Sequence, residues 1–402
     1  MENTRTDSLI YLDNNATTPV LEEAAAALNG ALRSTYGNPS SYHRAGMAAG
    51  YVIEKARASV ARLIGAAAPE IIFTSSGTEA NNTAIYGTIG RIMSSGGKSG
   101  PANIVTTGVE HHSVSNAVKA VCSGGGISVK RAAISSECKL EPEEFERLID
   151  ENTVLVSVML ANNETGAIFP VSEIGGICAR RGVLFHVDAV CATGKIRYSV
   201  KDINCDLLSI SAHKLYGPKG AACLYKKRGV EITPLFRGGH QEANLRAGTE
   251  NVPAIAGFGA ACDYFFNNIE SSAAHYLKLK ELFSAGIKKA LPGATLNCSS
   301  GEALPNTVSL TLDFCDIHEV NAFMFNIDLA GVCVSLGAAC SSMAKEPSEV
   351  LTAMGMSDIR AHSTVRVSFG VQNTEDEVLR AIRIMEEAYG KITRARKLRV
   401  QA

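Results

Sequence analysis

Lys214 has the clearest chemical setting in the chain. It stands in Ser209-Ile210-Ser211-Ala212-His213-Lys214-Leu215-Tyr216-Gly217-Pro218-Lys219-Gly220, where a strand-like run over 206–210 gives way to small and polar residues and then to a Gly-Pro turn. That layout ends a strand and presents one amine at the rim of a sheet. A sheltered amine of this kind can act as a nucleophile and form a Schiff base with an aldehyde cofactor. Taken alone, the simpler reading is a solvated lysine in a surface loop, so the rest of the chain must supply what pyridoxal phosphate (PLP) requires.

Several other stretches do so. Gly77-Thr78-Glu79 lies between a strand and a helix, where free N–H groups and the helix dipole suit a phosphate; an ordinary capped helix start would read the same way. Ser211 and His213 flank the lysine and offer two further phosphate donors. His186-Val187-Asp188-Ala189 ends an apolar strand. A carboxylate there can face a pyridine nitrogen and keep it protonated, or it can cap a helix. Asn163, in Asn162-Asn163-Glu164-Thr165-Gly166, can reach the cofactor's phenolic oxygen or make a turn. In Glu110-His111-His112, one histidine can stack on a ring and move protons, with a structural role as the default for His112. Adjacent histidines point apart and no partner ligands stand nearby, which weakens a metal reading. Gly337-Ala338-Ala339-Cys340-Ser341-Ser342 sets a thiol among small residues before a loop, where it can meet a substrate and carry a product away. Arg366 sits within a strand-like run, where its fork suits an amino-acid carboxylate or a structural salt bridge.

Alternating elements must hold these residues. Helical spacing covers 21–33 and 44–64, followed by a strand at 71–73 and a helix after it. Further strands are expected at 104–106, 154–160 and 183–187, with helices at 113–122, 143–149 and 171–181. The pattern argues for an α/β domain with a largely parallel sheet. A long helical stretch over 253–291 then resembles a connector. It leads to strands near 306–312 and 364–369, a strand-like 332–335, and a closing helix over 375–391. The boundary is placed near Cys262, with 17–262 as a large domain and 1–16 plus 263–402 as a smaller α/β domain. The Ser/Gly-rich 94–100 reads as a mobile loop, and the basic tail from Arg394 as short and solvated.

Composition sets the limits. The 402 residues exceed one ordinary core. With 46% hydrophobic and 20% charged residues the chain reads as globular. A balance of 39 basic to 40 acidic residues gives no sign of a nucleic-acid or membrane-surface partner. No signal peptide is apparent, and no run approaches the roughly 18 apolar residues of a membrane span, so the expected location is the cytoplasm. The 11 cysteines are odd in number and contain no Cys-x-x-Cys pair, which argues against a disulfide framework or a zinc knuckle.

Taken together, Asn14-x-Ala16-Thr17-Thr18-Pro19, Gly37-Asn38-Pro39-Ser40, the stretches 74–79, 110–111, 162–166, 186–188, 211–220, 246–249 and 337–340 resemble the cysteine desulfurases of the NifS/IscS type. These are class V, fold-type I PLP enzymes, and the likeness runs from about 11 to 392. It implies that Lys214 carries PLP and shuttles a proton, that Asp188 pairs with the pyridinium, and that His111 stacks on the ring. It implies Asn163 at the phenolic oxygen, with Thr78, Gly77, Ser211 and His213 at the phosphate. Thr249 would reach the phosphate from a second subunit of a homodimer. Arg366 and Asn38 would bind the carboxylate of L-cysteine, and Cys340 would take the sulfur as a persulfide while L-alanine leaves. An iron–sulfur scaffold or another thiolation protein would accept that sulfur. Two departures stand out. Cys191 occupies the place of a glutamine in many members, which implies weaker support of the phenolic oxygen and a displaced Schiff-base pKa. The chain also stops soon after its last helix, where some relatives extend a scaffold-docking tail. Selenocysteine lyase shares the fold and most motifs, and a non-catalytic scaffold would keep the fold without the chemistry.

Overall fold

The computed structural model describes residues 9–94, 101–298, 302–336 and 346–401. Strand β1 (Ile10–Tyr11) enters the molecule and later receives a parallel partner. Seven strands then build the main sheet: β2 (Ile71–Thr74), β3 (Ala102–Thr107), β4 (Ile127–Ala132), β5 (Thr153–Met159), β6 (Leu184–Asp188), β7 (Leu207–Ser211) and β8 (Ala222–Lys226). Their order is β2-β8-β7-β6-β5-β3-β4. The pairs from β7 through β4 are parallel, and β8 runs antiparallel to both its neighbours. Every residue of β3 and β5 is buried, as a parallel sheet covered on both faces demands. The expected parallel α/β sheet is present; β4 and the antiparallel β8 carry no separate expectation above.

Four further strands, β9 (Thr295–Asn297), β10 (Thr307–Thr311), β12 (Ser335–Leu336) and β13 (Thr364–Ser368), form a second, antiparallel sheet in the order β12-β13-β10-β9. Between them β11 (Val332–Cys333) pairs in parallel with β1. The helix Ile317–Leu329, for which the sequence reading makes no provision, packs beside this sheet. The closing helix runs over Glu375–Gln401, well past 391. The basic tail is therefore helical rather than loosely solvated, because Arg396 reaches Glu319 and donates to the carbonyl oxygen of Asp313 at 2.8 Å.

The apolar side chains gather in two principal cores. One surrounds the seven-stranded sheet; the other joins β1, β10, β11, β13 and the helices against them. The 39-residue helix Val252–Ala290, about 58 Å long at 1.5 Å per residue, supplies both. Phe258, Cys262 and Phe265 belong to the first core, and Leu279, Phe283 and Ile287 to the second. Among the described residues no helix is long and apolar enough to cross a membrane.

Candidate active site

The carboxyl ends of β5, β6 and β7 and the entry to the helix Gly77–Ser94 converge on a cavity of about 290 Å³. Openings at the carboxyl ends of parallel strands are where α/β folds place ligands. Lys214, Ser211, His213, Asp188, Cys191, Asn163, His111, Gly77 and Thr78 all line it, as the sequence reading expects.

β7 ends at Ser211 and passes into a single 3-10 turn, Ala212–Lys214, which swings the lysine side chain over the cavity. Its ammonium donates to the carbonyl oxygen of Asn15 and, at 2.9 Å, to that of Ala16. The polar entry segment thus closes one wall of the site. Asn14 and Asn15 are fully buried there, and Asn15 donates to Thr307 Oγ1 at 2.9 Å. From below, the buried ammonium of Lys195 donates to the carbonyl oxygen of Lys214 at 3.0 Å. Burial pulls Lys195 below the usual lysine range.

Asp188, at the end of β6, accepts from Val190 N–H at 2.9 Å and from Asn81 Nδ2 at 2.8 Å. The two donors fix the orientation of this buried carboxylate. The same Asn81 amide donates to Ser113 Oγ at 2.8 Å, and Ser113 Oγ lies 2.7 Å from His111 Nδ1. His111 caps the helix His112–Ser123 by accepting from Ser113 N–H at 3.1 Å. Nδ1 is therefore the acceptor nitrogen, leaving the proton of the neutral ring on Nε2. Burial pulls His111 below the ordinary histidine range, with Asp188 opposing and Lys214 adding to it. Beneath the same wall, burial pushes the Glu110 carboxyl up to about 8.

The phosphate end of a PLP molecule would meet Gly77, Thr78, Ser211 and His213. Ser211 Oγ is buried with no hydrogen-bond partner. A β-carbon on Gly77 would fall 2.9 Å from Val190 Cγ2 and 3.4 Å from Ser211 Cβ, so only glycine leaves that cradle open. His213 lies 3.1 Å from Thr17 Oγ1, and burial together with Lys214, Lys219 and Lys195 pulls it down to about 4. An unsatisfied hydroxyl, a helix entry and a donor-supported carboxylate are the groups PLP needs, and the residues present fit it. Glu79, one turn into that helix, is held ionised against burial by Arg246, at 2.9 Å, and by Ser75.

Three expectations fall outside the cavity. Arg366 is 1% exposed on β13; it pairs with Asp13 Oδ1 at 2.8 Å and donates to the carbonyl oxygen of Asn163 at 3.1 Å, while its Nε is buried without a partner. Asn38 is exposed, and its side chain accepts from Ser40 N–H at 2.9 Å. Thr249 is also exposed. Cys340 lies outside the described residues, as does most of 94–100. Sequence reasoning misses Asn81, Ser113 and Lys195. None of the three leaves a trace in the chain; Asn81 stands among the equally polar Thr78, Glu79, Asn82 and Thr83.

The description "Aminotransferase class-V" fits residues 10–380. The chain is 40% identical over 380 residues to a cysteine desulfurase of Nostoc sp. (strain PCC 7120 / SAG 25.82 / UTEX 2576), spanning 94% of this chain and 92% of that relative. A solved NifS-like protein superposes with a TM-score of 0.86 at 35% identity, covering 94% of this chain and 98% of its own. SspA in complex with cysteine superposes with a TM-score of 0.79 at 32% identity, covering 89% and 98%. A PLP-fitted pocket on this fold, with likeness along nearly the whole length, places the chain in the class-V aminotransferase family of PLP-dependent enzymes, among the cysteine desulfurases.

Proposed function

We propose that this protein transfers sulfur from L-cysteine to its own Cys340, releasing L-alanine and leaving a Cys340 persulfide. The observation that carries the reading is the lining of the pocket: Lys214, the Asn81-supported Asp188 and the unpartnered Ser211 hydroxyl face one cavity. PLP, when bound, supplies an electron sink for the substrate's Cα. The chain's own residues do the rest. Asp188 holds a proton on the ring nitrogen, Gly77, Thr78, Ser211 and His213 hold the phosphate, and Asn163 with Cys191 borders the phenolic side. Lys214 anchors the cofactor and moves the Cα proton. His111 would stack on the ring, and with Nδ1 accepting from Ser113 N–H its neutral imidazole would have a proton on Nε2 to donate. The overall transfer balances: the substrate's C–S bond breaks, its β-carbon gains hydrogen, and the sulfur joins the Cys340 thiol.

Arg366 offers its unpartnered buried Nε as an anchor for the substrate carboxylate, with Asn38 assisting. Thr249, exposed and outside its own chain's pocket, suits a homodimer in which it reaches the phosphate across the interface. The division into a large domain over 17–262 and a small domain formed by 1–16 and 263–402 is supported by Ile10 and Leu12, which share a core with Leu310 and Val365, while Phe265, Leu304 and Leu351 cross into the larger core. A cytoplasmic iron–sulfur scaffold or another thiolation protein is the proposed acceptor. The test mixes holoenzyme with L-cysteine and measures alanine and sulfide beside Cys340→Ala. Wild type should form both products, and the variant should stay yellow without turnover. A yellow wild type inert to L-cysteine but active on selenocysteine overturns the reading in favour of a lyase.

A further inference from the structure

Two thiols meet outside the cofactor pocket. Cys138, on the connection between β4 and the helix Pro142–Leu148, is 1% exposed. Cys298 follows β9 at the edge of the smaller sheet; it is partly exposed and packs against the core of the larger one. Each backbone is left-handed, with φ of 60° and 55°, a conformation that non-glycine residues adopt only when their surroundings enforce it. The two side chains are close enough for each to shift the acidity of the other. Thr165 Oγ1 donates to Cys138 Sγ at 3.4 Å and also touches Cys298. Both cysteines border a cavity of about 720 Å³ whose wall includes Glu137, Lys139 and Glu302.

Their protonation states are complementary. The Cys138 side chain lowers the Cys298 thiol below the ordinary range, against burial, with Thr165 and Lys280 assisting. Contact with Cys298, and then burial, raises the Cys138 thiol. A partly exposed thiol made more acidic by a buried neighbouring thiol is the arrangement of a reactive dithiol.

We propose that Cys138 and Cys298 form a redox-active pair that hydrogen peroxide closes to a disulfide. The Cys298 thiolate attacks one peroxide oxygen, the O–O bond breaks, and the departing hydroxide takes a proton to become water. The Cys138 sulfur then displaces the hydroxyl of the Cys298 sulfenic acid, and its proton leaves with that hydroxyl as a second water. Both sulfurs are oxidised and the peroxide is reduced. The new bond joins the large-sheet side of the molecule to the edge of the small sheet around Thr165. Segment 162–168 is already fastened there: Leu304 N–H donates to the Gly166 carbonyl oxygen at 2.7 Å and Ile168 N–H to that of Glu302 at 3.0 Å. Its near end carries Asn163 into the cofactor pocket. Oxidation therefore tightens the support of one pocket wall.

The experiment uses holoenzyme carrying Cys340→Ala, so that the proposed sulfur carrier does not compete for oxidant. Hydrogen peroxide is added, and peptides are mapped by mass spectrometry without reduction. The expected product is a single cross-link between the Cys138 and Cys298 peptides, with the loss of two hydrogens and full recovery after dithiothreitol. Cys298→Ser should abolish it. In the intact pair, iodoacetamide should label Cys298 before oxidation and not after. Amide exchange across 162–168 should slow in the oxidised protein. A Cys298 sulfenic or sulfinic acid without a cross-link, a cross-link through other cysteines, or persistent Cys298 labelling overturns the dithiol. Unchanged exchange with the cross-link formed overturns its effect on the pocket wall.

Discussion

Asn81→Ala tests the geometry of the proposed site most sharply. The residue is 1% exposed and gives Asp188 its only side-chain donor among the described residues, at 2.8 Å. Its Nδ2 also serves Ser113 Oγ, while its Oδ1 is buried without a partner. Alanine therefore removes two donated bonds and, with them, one unsatisfied acceptor. These effects on folding oppose each other, so the apoprotein should melt near the wild-type temperature. The site has no such compensation. A hydrogen bond to an ionised group contributes roughly 1.5–3 kcal/mol, and about 1.4 kcal/mol is a factor of ten, so PLP affinity and kcat/KM should each fall on the order of 10- to 150-fold. Equilibrium dialysis against PLP, read by cofactor absorbance, gives the first, and alanine formation gives the second. Asn81→Asp sets a second carboxylate against Asp188 and should do more damage still. If folded Asn81→Ala retains PLP within about twofold of wild type, below the smallest loss such a bond implies, the claim that Asn81 holds Asp188 in place for the cofactor is refuted.

Three other perturbations follow from the same geometry. Ser211→Ala removes a buried hydroxyl that has no partner, so the apoprotein should hold or gain about 1 kcal/mol, while the rise in melting temperature on adding PLP should shrink. Glu110, pushed up to about 8 from 4.5, keeps in the folded state a proton that the unfolded chain releases. The folded state thus binds more protons, and this contribution to stability falls as pH rises between those two values. Glu110→Gln can still accept from Thr107 and should flatten that part of the urea-midpoint profile relative to wild type. Arg57 and Glu242 form a buried fork with both contacts at 2.8 Å. Glu242→Ala leaves the buried guanidinium with the Ile71 carbonyl oxygen and the exposed carboxylate of Glu54 as its partners and should cost roughly 3 kcal/mol in denaturant unfolding.

The residues that announce themselves in the sequence are those whose chemistry is local. Lys214 before Gly-Pro, Asp188 after an apolar strand and Gly77 before a helix each sit where an element ends, and the structure brings all three to one cavity. β5 shows as a nearly continuous apolar run because both its faces are covered, and β3 shows through Ile104-Val105 at its centre. β4 hides because its middle residues, Ser128 to Arg131, are only partly covered at the sheet edge. Asn81, Ser113 and Lys195 are invisible for a different reason. Their partners lie on other elements, and no spacing along the chain encodes an amide that spans from a helix to Asp188. Arg366 was legible as an arginine in need of a partner, but which partner depended on Asp13, more than 300 positions away.

The long helix over Val252–Ala290 has a thermodynamic consequence. Phe258 and Phe265 are locked into one core, Phe283 and Ile287 into the other, and the backbone between them is continuous. Fraying the helix at either end strips apolar cover from the body it serves and removes the turns that brace its neighbour. The two bodies are thereby bound into one cooperative unit. Calorimetry should show a single transition with equal van't Hoff and calorimetric enthalpies. Phe283→Ala, far from Lys214 along the chain, should lower the temperature at which the cofactor pocket itself comes apart.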